Sequence, residues 1–248
     1  MKVIASYNIK GGVGKTAASV NLAFAAAASG RRTLLWDLDP QGASSYYFRV
    51  KPKVRGGGRA LLGKGTELGR AIKASDWPRL DLIPADFSFR HLDLVLQEAK
   101  RPGKRLRKAL APLASEYDLV LLDCPPSVSL LSEGVMSVAD RLLVPVIPTS
   151  LSLRAYRQLH RLCRDLELPE GLLAPFFSMV DRRRKLHREV AAQFSGRHRE
   201  LLRSYIPYAS VVEQMGPRRA PLLAFAPASE AGRAFRQLWE EVAARCEI

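Results

Sequence analysis

The sequence has few of the residues that indicate disulfide bonds, zinc sites or membrane spans. Its three cysteines, Cys124, Cys163 and Cys246, are far apart, and no C-x-x-C pair occurs. Zinc and iron–sulfur sites are therefore not expected, and scattered cysteines are typical of a reducing compartment. No apolar run reaches the roughly 18 residues that a membrane span requires. No charged-then-apolar leader opens the chain, so we expect a cytoplasmic protein.

Acidic residues are scarce relative to basic ones. Lys and Arg total 39 against 24 Asp and Glu in 248 residues, which gives a net charge of +15. Such a surplus attracts polyanions, and nucleic acid is the first candidate. Each basic cluster could instead be an ordinary solvated face. The clusters are Arg182, Arg183, Arg184, Lys185 and Arg188; Lys100, Arg101, Lys104, Arg105, Arg107 and Lys108; and the pair Arg218 and Arg219.

Strand-like apolar runs alternate with helical segments along the chain. Residues 2–8 predict a buried strand, residues 15–29 an Ala-rich helix ended by Gly30, and residues 32–37 a second strand. Strand, glycine turn, helix and strand in this order form a βαβ unit, which implies a parallel sheet. Further strands are predicted at 80–84, 118–123, 141–147 and 173–180, and helices at 89–98, 104–115, 129–138, 151–166, 184–194 and 229–245.

The pattern predicts an α/β fold with a single doubly wound, mostly parallel sheet and helices on both faces. One domain over residues 1–248 accounts for it, since no linker or internal repeat is visible. The glycine-rich stretch at 55–65 predicts a mobile surface loop.

The glycine turn at residues 10–16, KGGVGKT, matches two motifs. Gly12-x-Gly14-x-x-Ala17 fits the dinucleotide fingerprint of a dehydrogenase, with Asp37 about 20 residues later as the ribose-binding acid. A dehydrogenase, however, has no use for a Lys-Thr pair at the start of the helix.

A phosphate-binding P-loop explains that pair. Backbone N–H groups of the turn would cradle the phosphates, Lys15 would neutralise them, and the Thr16 hydroxyl would bind Mg²⁺. Asp123, at the end of the apolar run LVLLD, supplies the second acid that such a site needs. One mismatch remains, because Ile9 stands where the standard loop opens with glycine.

That mismatch and the additional lysine, Lys10, point to a variant loop. KGGVGKT, followed by WDLDPQG at 36–42 and LLDCPPS at 121–127, resembles the deviant-loop ATPases of the ParA/Soj/MinD superfamily. The resemblance is strongest for ParA and extends over residues 117–159 and 206–242.

The resemblance implies ATP and Mg²⁺ as cofactors. Lys10 would reach across a homodimer to the partner's ATP, although it could be a solvated strand-end lysine. Asp39 would position the attacking water, Asp37 would lie in the Mg²⁺ shell or serve as a turn carboxylate, and Asp123 would hold Mg²⁺ through water. Hydrolysis would be slow, because no arginine finger or strong base is evident.

The predicted site is therefore a defined set of residues. Asp181 and Pro207 match family positions near the adenine, but both could be ordinary loop residues. Gly134 and Ala209 stand where the family often has asparagine. The nucleotide-binding residues are Lys10, Gly11, Gly12, Val13, Gly14, Lys15, Thr16, Ala17, Asp181 and Pro207; the catalytic residues are Lys10, Lys15 and Asp39; the metal-binding residues are Thr16, Asp37, Asp39 and Asp123.

By the same resemblance, the protein is a partition or positioning ATPase associated with the bacterial nucleoid. The ATP-bound dimer would bind double-stranded DNA without sequence preference and move a chromosome origin, plasmid or protein organelle. A cargo adaptor or centromere-binding protein would stimulate hydrolysis. The DNA-binding residues would be Arg182, Arg183, Arg184, Lys185, Arg188, Arg218 and Arg219.

Three alternatives stay open at the level of sequence. A MinD-like regulator would bind a membrane, but the chain ends in WEEVAARCEI rather than in a basic amphipathic helix. The first strand begins at residue 2, so we also expect no operator-binding arm. A P-loop ligase that forms amides and a basic DNA-binding protein with an inactive nucleotide site are the other two.

Overall fold

The computed structural model describes residues 1–63, 68–98 and 101–248. Its strands are β1 (Lys2–Ser6), β2 (Thr33–Asp37), β3 (Lys73–Ala74), β4 (Leu80–Ile83), β5 (Leu119–Asp123), β6 (Arg141–Val146) and β7 (Leu173–Phe177). Its α-helices are α1 (Lys15–Ala28), α2 (Ala43–Tyr47), α3 (Gly57–Leu62), α4 (Leu92–Gln97), α5 (Pro102–Leu110), α6 (Leu130–Val138), α7 (Ser150–Asp165), α8 (Lys185–Ser195), α9 (Ser210–Glu213), α10 (Met215–Arg218), α11 (Leu222–Phe225) and α12 (Glu230–Cys246).

These strands form a seven-stranded sheet in the order β3-β4-β2-β5-β1-β6-β7. Every pair is parallel except β3 and β4, which are antiparallel at one edge. Four strands have parallel neighbours on both sides, namely β1, β2, β5 and β6, and they consist of near-continuous apolar runs, as expected for strands covered on both faces. The prediction of a mostly parallel sheet is confirmed.

Two hydrophobic cores lie on opposite faces of the sheet. Along β5, Val120 and Leu122 belong to one core while Leu119 and Leu121 belong to the other, because successive side chains of a strand point to opposite faces. The first core is covered mainly by α4 to α8, and the second by α1 and α12. The prediction of helices on both faces is thus confirmed.

The main strands and long helices lie within a few residues of their predicted positions. The prediction of a loop at 55–65 is wrong for most of its length, since α3 occupies Gly57–Leu62 and buries Leu61 and Leu62 in the first core. Residues 64 and 65 of that stretch lie outside the described residues. The one-domain assignment for residues 1–248 stays a prediction.

The last helix, α12, buries the face that the sequence predicts as apolar. Ala234, Leu238, Trp239 and Val242 belong to the second core. In the part of the chain that the structure describes, no helix is both long and apolar enough to cross a membrane.

Candidate functional site

The glycine turn between β1 and α1 has a backbone that only glycine adopts readily. Gly12 has φ 69° and Gly14 has φ 94°, both in the left-handed region. A Cβ on Gly14 would also lie 2.8 Å from Ser178 Oγ, closer than packed atoms approach. The turn leads directly into α1, whose first N–H groups are free to bind an anion.

A buried asparagine that the sequence analysis did not identify anchors this turn. The Asn8 side-chain amide donates to the carbonyl of Pro145 on β6 at 2.8 Å, and its oxygen accepts the N–H of Lys10 at 2.9 Å. Asn8 therefore fixes the start of the turn to the neighbouring strand. No motif points to Asn8, because its partner lies far away in the sequence.

The two lysines of the turn have different environments. Lys15 is buried, and its ammonium group donates to the carbonyl of Lys10 at 3.4 Å. Burial lowers the pKa of Lys15, while the nearby Asp123 acts in the opposite direction. Lys10 is half-buried, and its ammonium group has no hydrogen-bond or ion-pair partner within the described residues. One cation is thus held inside the turn and the other remains available.

Two carboxylates end neighbouring strands at the same level. Asp37 of β2 and Asp123 of β5 are register partners, and both are fully buried. Burial and the neighbouring Asp123 raise the pKa of Asp37 to about 7. Burial also raises the pKa of Asp123, although hydrogen bonds and the nearby Lys15 favour its charged form. A cation between these groups would relieve the cost of their burial.

Serine hydroxyls hold both carboxylates in place. Asp123 accepts hydrogen bonds from Ser44 Oγ at 2.7 Å and from Ser19 Oγ at 3.1 Å. Asp37 accepts the N–H of Ser45 at 2.8 Å and its Oγ at 2.7 Å. Ser44 and Ser45 belong to α2, a five-residue helix that the sequence analysis did not predict. A helix of five residues shows no hydrophobic period, so the sequence gives no signal that would identify the two serines after DPQG.

Asp39 lies just beyond β2 and is half-buried. Its Oδ1 accepts the N–H of Gln41 at 2.9 Å, and its own N–H donates to Asp37 Oδ1 at 3.3 Å. Its Oδ2 accepts no hydrogen bond from the described residues, so this oxygen is available to a water or ligand. Within the described ranges, no three His, Cys, Asp or Glu side chains converge on one metal position. A hard cation here would take hydroxyl, water and substrate oxygens besides carboxylates, as Mg²⁺ does.

An apolar cleft opens beside the glycine turn. Its lining includes the predicted residues Gly14, Ala17 and Pro207, together with Met179 and Tyr208. The predicted Asp181 is not among the lining residues. Hydrogen bonds from the side chain of Arg183, at 3.0 and 3.1 Å, hold the pKa of Asp181 at about 2. The roles of Asp181 and Pro207 toward a base stay predictions.

The predicted basic cluster at 182–188 is partly neutralised by acids of its own segment. Arg183 and Arg184 both pair with Asp181, at 3.0 and 3.7 Å, and Lys185 pairs with Glu189 at 3.6 Å. All five basic residues are exposed, three of them just before α8 and two in its first turn. The cluster keeps a net charge of +3, five cations less two carboxylates.

The other predicted pair, Arg218 and Arg219, lies against the segment that follows α2. Arg49 donates to the carbonyl of Arg219 at 3.1 Å, and the guanidinium of Arg219 lies 4.7 Å from the Tyr46 ring centroid. This pair adjoins the end of β2, whereas the cluster at 182–188 follows β7. These strands are four places apart in the sheet, roughly 19 Å at ~4.8 Å per strand. The two sets therefore form separate surfaces within one subunit.

The cluster around α5 borders a surface cleft of its own. Arg101, Lys104, Arg105 and Lys108 line it together with Glu98. Lys100, also assigned to this cluster, lies outside the described residues.

Comparisons with known proteins agree with this geometry. A family model described as an AAA domain matches residues 1–169. The sporulation initiation inhibitor protein Soj of Bacillus subtilis is 31% identical to this chain in an alignment that covers 98% of each protein. The chromosome partitioning protein ParA of Caulobacter vibrioides is 36% identical over 202 residues, 77% of this chain and 74% of that one.

The chain is also similar to the solved structure of an enzyme whose name differs from those of the two relatives. Cobyrinic acid a,c-diamide synthase from Mycobacterium smegmatis, with a bound ATP analogue and magnesium, superposes with a TM-score of 0.82 at 26% identity. The match covers 100% of this chain and 96% of that one. The family model and the two relatives show that the chain belongs to the ParA/MinD superfamily of P-loop ATPases, and the glycine turn beside paired carboxylates agrees with this assignment.

Proposed function

We propose that this ATPase dimerises with ATP, binds duplex DNA without sequence preference and positions a cargo through partner-stimulated hydrolysis. The proposal depends on one observation above all, the contrast between the two lysines of the glycine turn. Lys15 is buried against Lys10 and the carboxylates, whereas the Lys10 ammonium group has no partner within the described residues. A P-loop that acts within one subunit needs only the first of them.

ATP and Mg²⁺ fit the residues that surround the turn. Two left-handed glycines and the free N–H groups of α1 form a cradle for phosphates. Mg²⁺, when bound, neutralises phosphate charge and fixes the geometry of the triphosphate. Thr16 would contribute a hydroxyl to it, and Asp37, Asp39 and Asp123 would face it directly or through water. The buried pair of carboxylates, costly without a cation, supports this assignment.

The residues nearest the phosphates have separable tasks. Lys15 would bind the phosphates of its own subunit, and Lys10 would contact the ATP of the partner subunit. Lys10 would form its ion pair with the terminal phosphate of that ATP. Closure of the dimer would then require a triphosphate, because ADP lacks this phosphate. Asp39 would orient the attacking water with its free carboxylate oxygen. Hydrolysis would stay slow until an adaptor protein bound, which suits a timing device.

Exposed basic surfaces support DNA as the ATP-dependent partner. Contacts to phosphates alone give affinity without sequence preference. A dimer presents twice the contacts of a monomer, so dimerisation would give ATP control over binding. The cargo would be a chromosome origin, a plasmid or a protein organelle, recognised through its own adaptor, and the ATP-bound protein would reside on the nucleoid.

Two alternatives are tested by other measurements. A MinD-like protein needs a membrane-binding helix, whereas the apolar face of α12 is buried in the second core. ATP-dependent pelleting with liposomes, with no binding to DNA, would favour that alternative. The similarity to the diamide synthase favours a ligase. Turnover that depends on a carboxylic acid substrate and ammonia or glutamine, and not on DNA, would support it.

The central experiment is a salt titration of DNA binding with ATP, with ADP and without nucleotide. We expect binding to two unrelated duplexes only with ATP. If the cluster at 182–188 neutralises about five phosphates per dimer, it contributes about −4 to −5 to the slope of log K against log salt. Replacing Arg183 and Arg184 with alanine should flatten the slope by about 2 to 4 and leave basal ATPase activity intact.

The matched control removes the same charge elsewhere. Arg157 and Arg161 are exposed on α7, and the variant Arg157→Ala/Arg161→Ala loses two positive charges per subunit, as the test variant does. We expect its slope to stay close to that of the wild type. Equal slopes for all three proteins would place the DNA surface elsewhere, and binding that ignores ATP would contradict the proposed cycle.

A further inference from the structure

A cationic cleft at the edge of the sheet is lined by residues that belong to none of the predicted basic clusters. Nine residues line it, from the segment after α2 and from the region of β3. Five of them are basic and none is acidic: Lys51, Lys53, Arg55, Arg70 and Lys73. The remaining lining residues, Val50, Val54, Ala71 and Ala74, form an apolar floor along which long basic side chains can pack their methylene groups.

Most of this charge is not used within the subunit. Lys51, Lys53, Arg55 and Lys73 are exposed, and their side chains have no hydrogen-bond or ion-pair partner in the described part of the chain. Asp86 lies near Lys53 and interacts with its charge, and its oxygens also accept the N–H of Val54 and the N–H and hydroxyl of Ser88. Among the described residues, Asp86 offsets at most one of these four charges, so the cleft keeps a surplus of positive charge.

Protection of the sheet edge explains only part of the arrangement. Lysines on an edge strand discourage pairing with another sheet, and Lys73 on β3 fits that role. Lys51, Lys53 and Arg55 belong instead to the connection between α2 and α3. Their convergence on the same cleft requires a different reason.

The cleft is continuous with the segment of Arg218 and Arg219. Arg49, one residue before the cleft lining begins, donates to the carbonyls of Arg218 and Arg219 at 3.3 and 3.1 Å. Its guanidinium is half-exposed and also pairs with Asp76 at 3.5 Å. Basic side chains thus follow one another from Arg219 through Arg49 to Lys51 and Lys73.

We propose that this cleft binds the phosphate backbone of duplex DNA and extends the contact made by Arg218 and Arg219. The inference rests on the proposed DNA-binding function and names a surface for it that lies outside the predicted clusters. Unpaired, exposed lysines on a surface more than one residue wide suit a polyanion with regularly spaced charges, because each contact releases condensed counterions.

The number of contacts sets the expected effect. If the three lysines of the cleft neutralise about two phosphates per subunit, the dimer loses about four contacts when they are removed. At about 0.9 per contact, the slope of log K against log salt should become about 3.6 less steep. Raising the salt concentration from 50 to 200 mM is a fourfold change. It should therefore weaken DNA binding by the wild type roughly 150-fold more than DNA binding by the variant.

The experiment compares two variants with the same change in charge. The test variant is Lys51→Ala/Lys53→Ala/Lys73→Ala, and the control is Arg157→Ala/Arg161→Ala/Arg164→Ala, on the exposed face of α7. Affinity for a duplex is measured with ATP across the salt range, together with basal ATPase activity and ATP-dependent dimerisation. We expect the flatter slope in the test variant only, with both other measurements unchanged.

Each outcome has a definite meaning. If the wild type does not bind DNA with ATP, both the proposed function and the cleft assignment are wrong. If the wild type binds and the test variant gives a parallel line, the cleft assignment alone is wrong. A control variant that flattens the slope as much as the test variant would show an effect of net charge and would also overturn the assignment.

Discussion

The hydrogen bond from Ser44 to Asp123 provides the sharpest test of how α2 supports the site. Ser44 Oγ lies 2.7 Å from Asp123 Oδ2, and both residues are fully buried. The substitution Ser44→Ala removes one donor from a carboxylate that water does not reach. The pKa of Asp123, already raised by burial, should rise further, because the lost hydrogen bond favours the charged form.

The expected cost follows from the charge of the acceptor. A hydrogen bond to a charged group contributes about 1.5 to 3 kcal/mol, and a buried acceptor left without a donor loses most of that. Ser19 still donates to the other oxygen at 3.1 Å, so we expect about 2 kcal/mol. For a chain of this size, that lowers the melting temperature by roughly 4 to 8 °C.

A second buried serine is a matched control. Ser152 Oγ is buried and has no hydrogen-bond partner among the described residues. The substitution Ser152→Ala removes an equal volume without removing a hydrogen bond, so stability should stay the same or increase slightly. Urea unfolding of the nucleotide-free proteins measures both changes as shifts of the midpoint at constant slope. Equal midpoints for the two variants would refute the supporting role of Ser44.

Three further predictions concern the turn, the water-positioning acid and a surface ion pair. Lys10→Ala should abolish ATP-dependent dimerisation measured by light scattering while ATP still binds through Lys15; wild-type dimerisation would exclude a contact in trans. Asp39→Ala should still bind ATP and Mg²⁺ but lower turnover by about 10²–10⁴-fold in a phosphate-release assay; unchanged turnover would assign water positioning elsewhere. Arg32 holds the pKa of Asp118 at about 2, so the ion pair should stabilise the fold above pH ~4 and lose its effect as the pH falls through 2. Asp118→Asn should therefore lower the midpoint of urea unfolding only slightly at pH 7, since the pair is exposed, and hardly at all near pH 2; an equal shift at both pH values would contradict this account.

Much of the site could be predicted because its residues end regular elements. Asp37 and Asp123 close apolar runs, and carboxyl ends of parallel strands meet at one edge of a sheet, which places both acids near the glycine turn. The turn itself has a local signal, since Gly-Lys-Thr after a strand specifies both backbone and chemistry. These signals come from residues that are adjacent in the sequence, so one sequence is enough to predict these features.

The residues that were missed depend on partners distant in sequence. Asn8 bonds to Pro145, and Ser44 to Asp123, so neither contact has a periodic or local signature. Short helices such as α2 and α3 have too few residues for a period to be visible. The glycines near 57 predict a loop, whereas the segment forms a helix that buries Leu61 and Leu62. Tertiary packing overrides local propensity in such segments.

The position of α2 has a thermodynamic consequence. One side of this helix bonds to Asp37 and Asp123, and Tyr46 at its other side contacts Arg219. Ser44, Ser45 and Tyr46 are consecutive residues of this helix, which is only about 7.5 Å long, so both sets of contacts depend on one short element. A ligand that displaced α2 from the two carboxylates would also displace Tyr46 from Arg219. If ATP raises the affinity for DNA, as proposed, reciprocity requires DNA to raise the affinity for ATP by the same factor, and the chromosome itself would then help to retain the nucleotide.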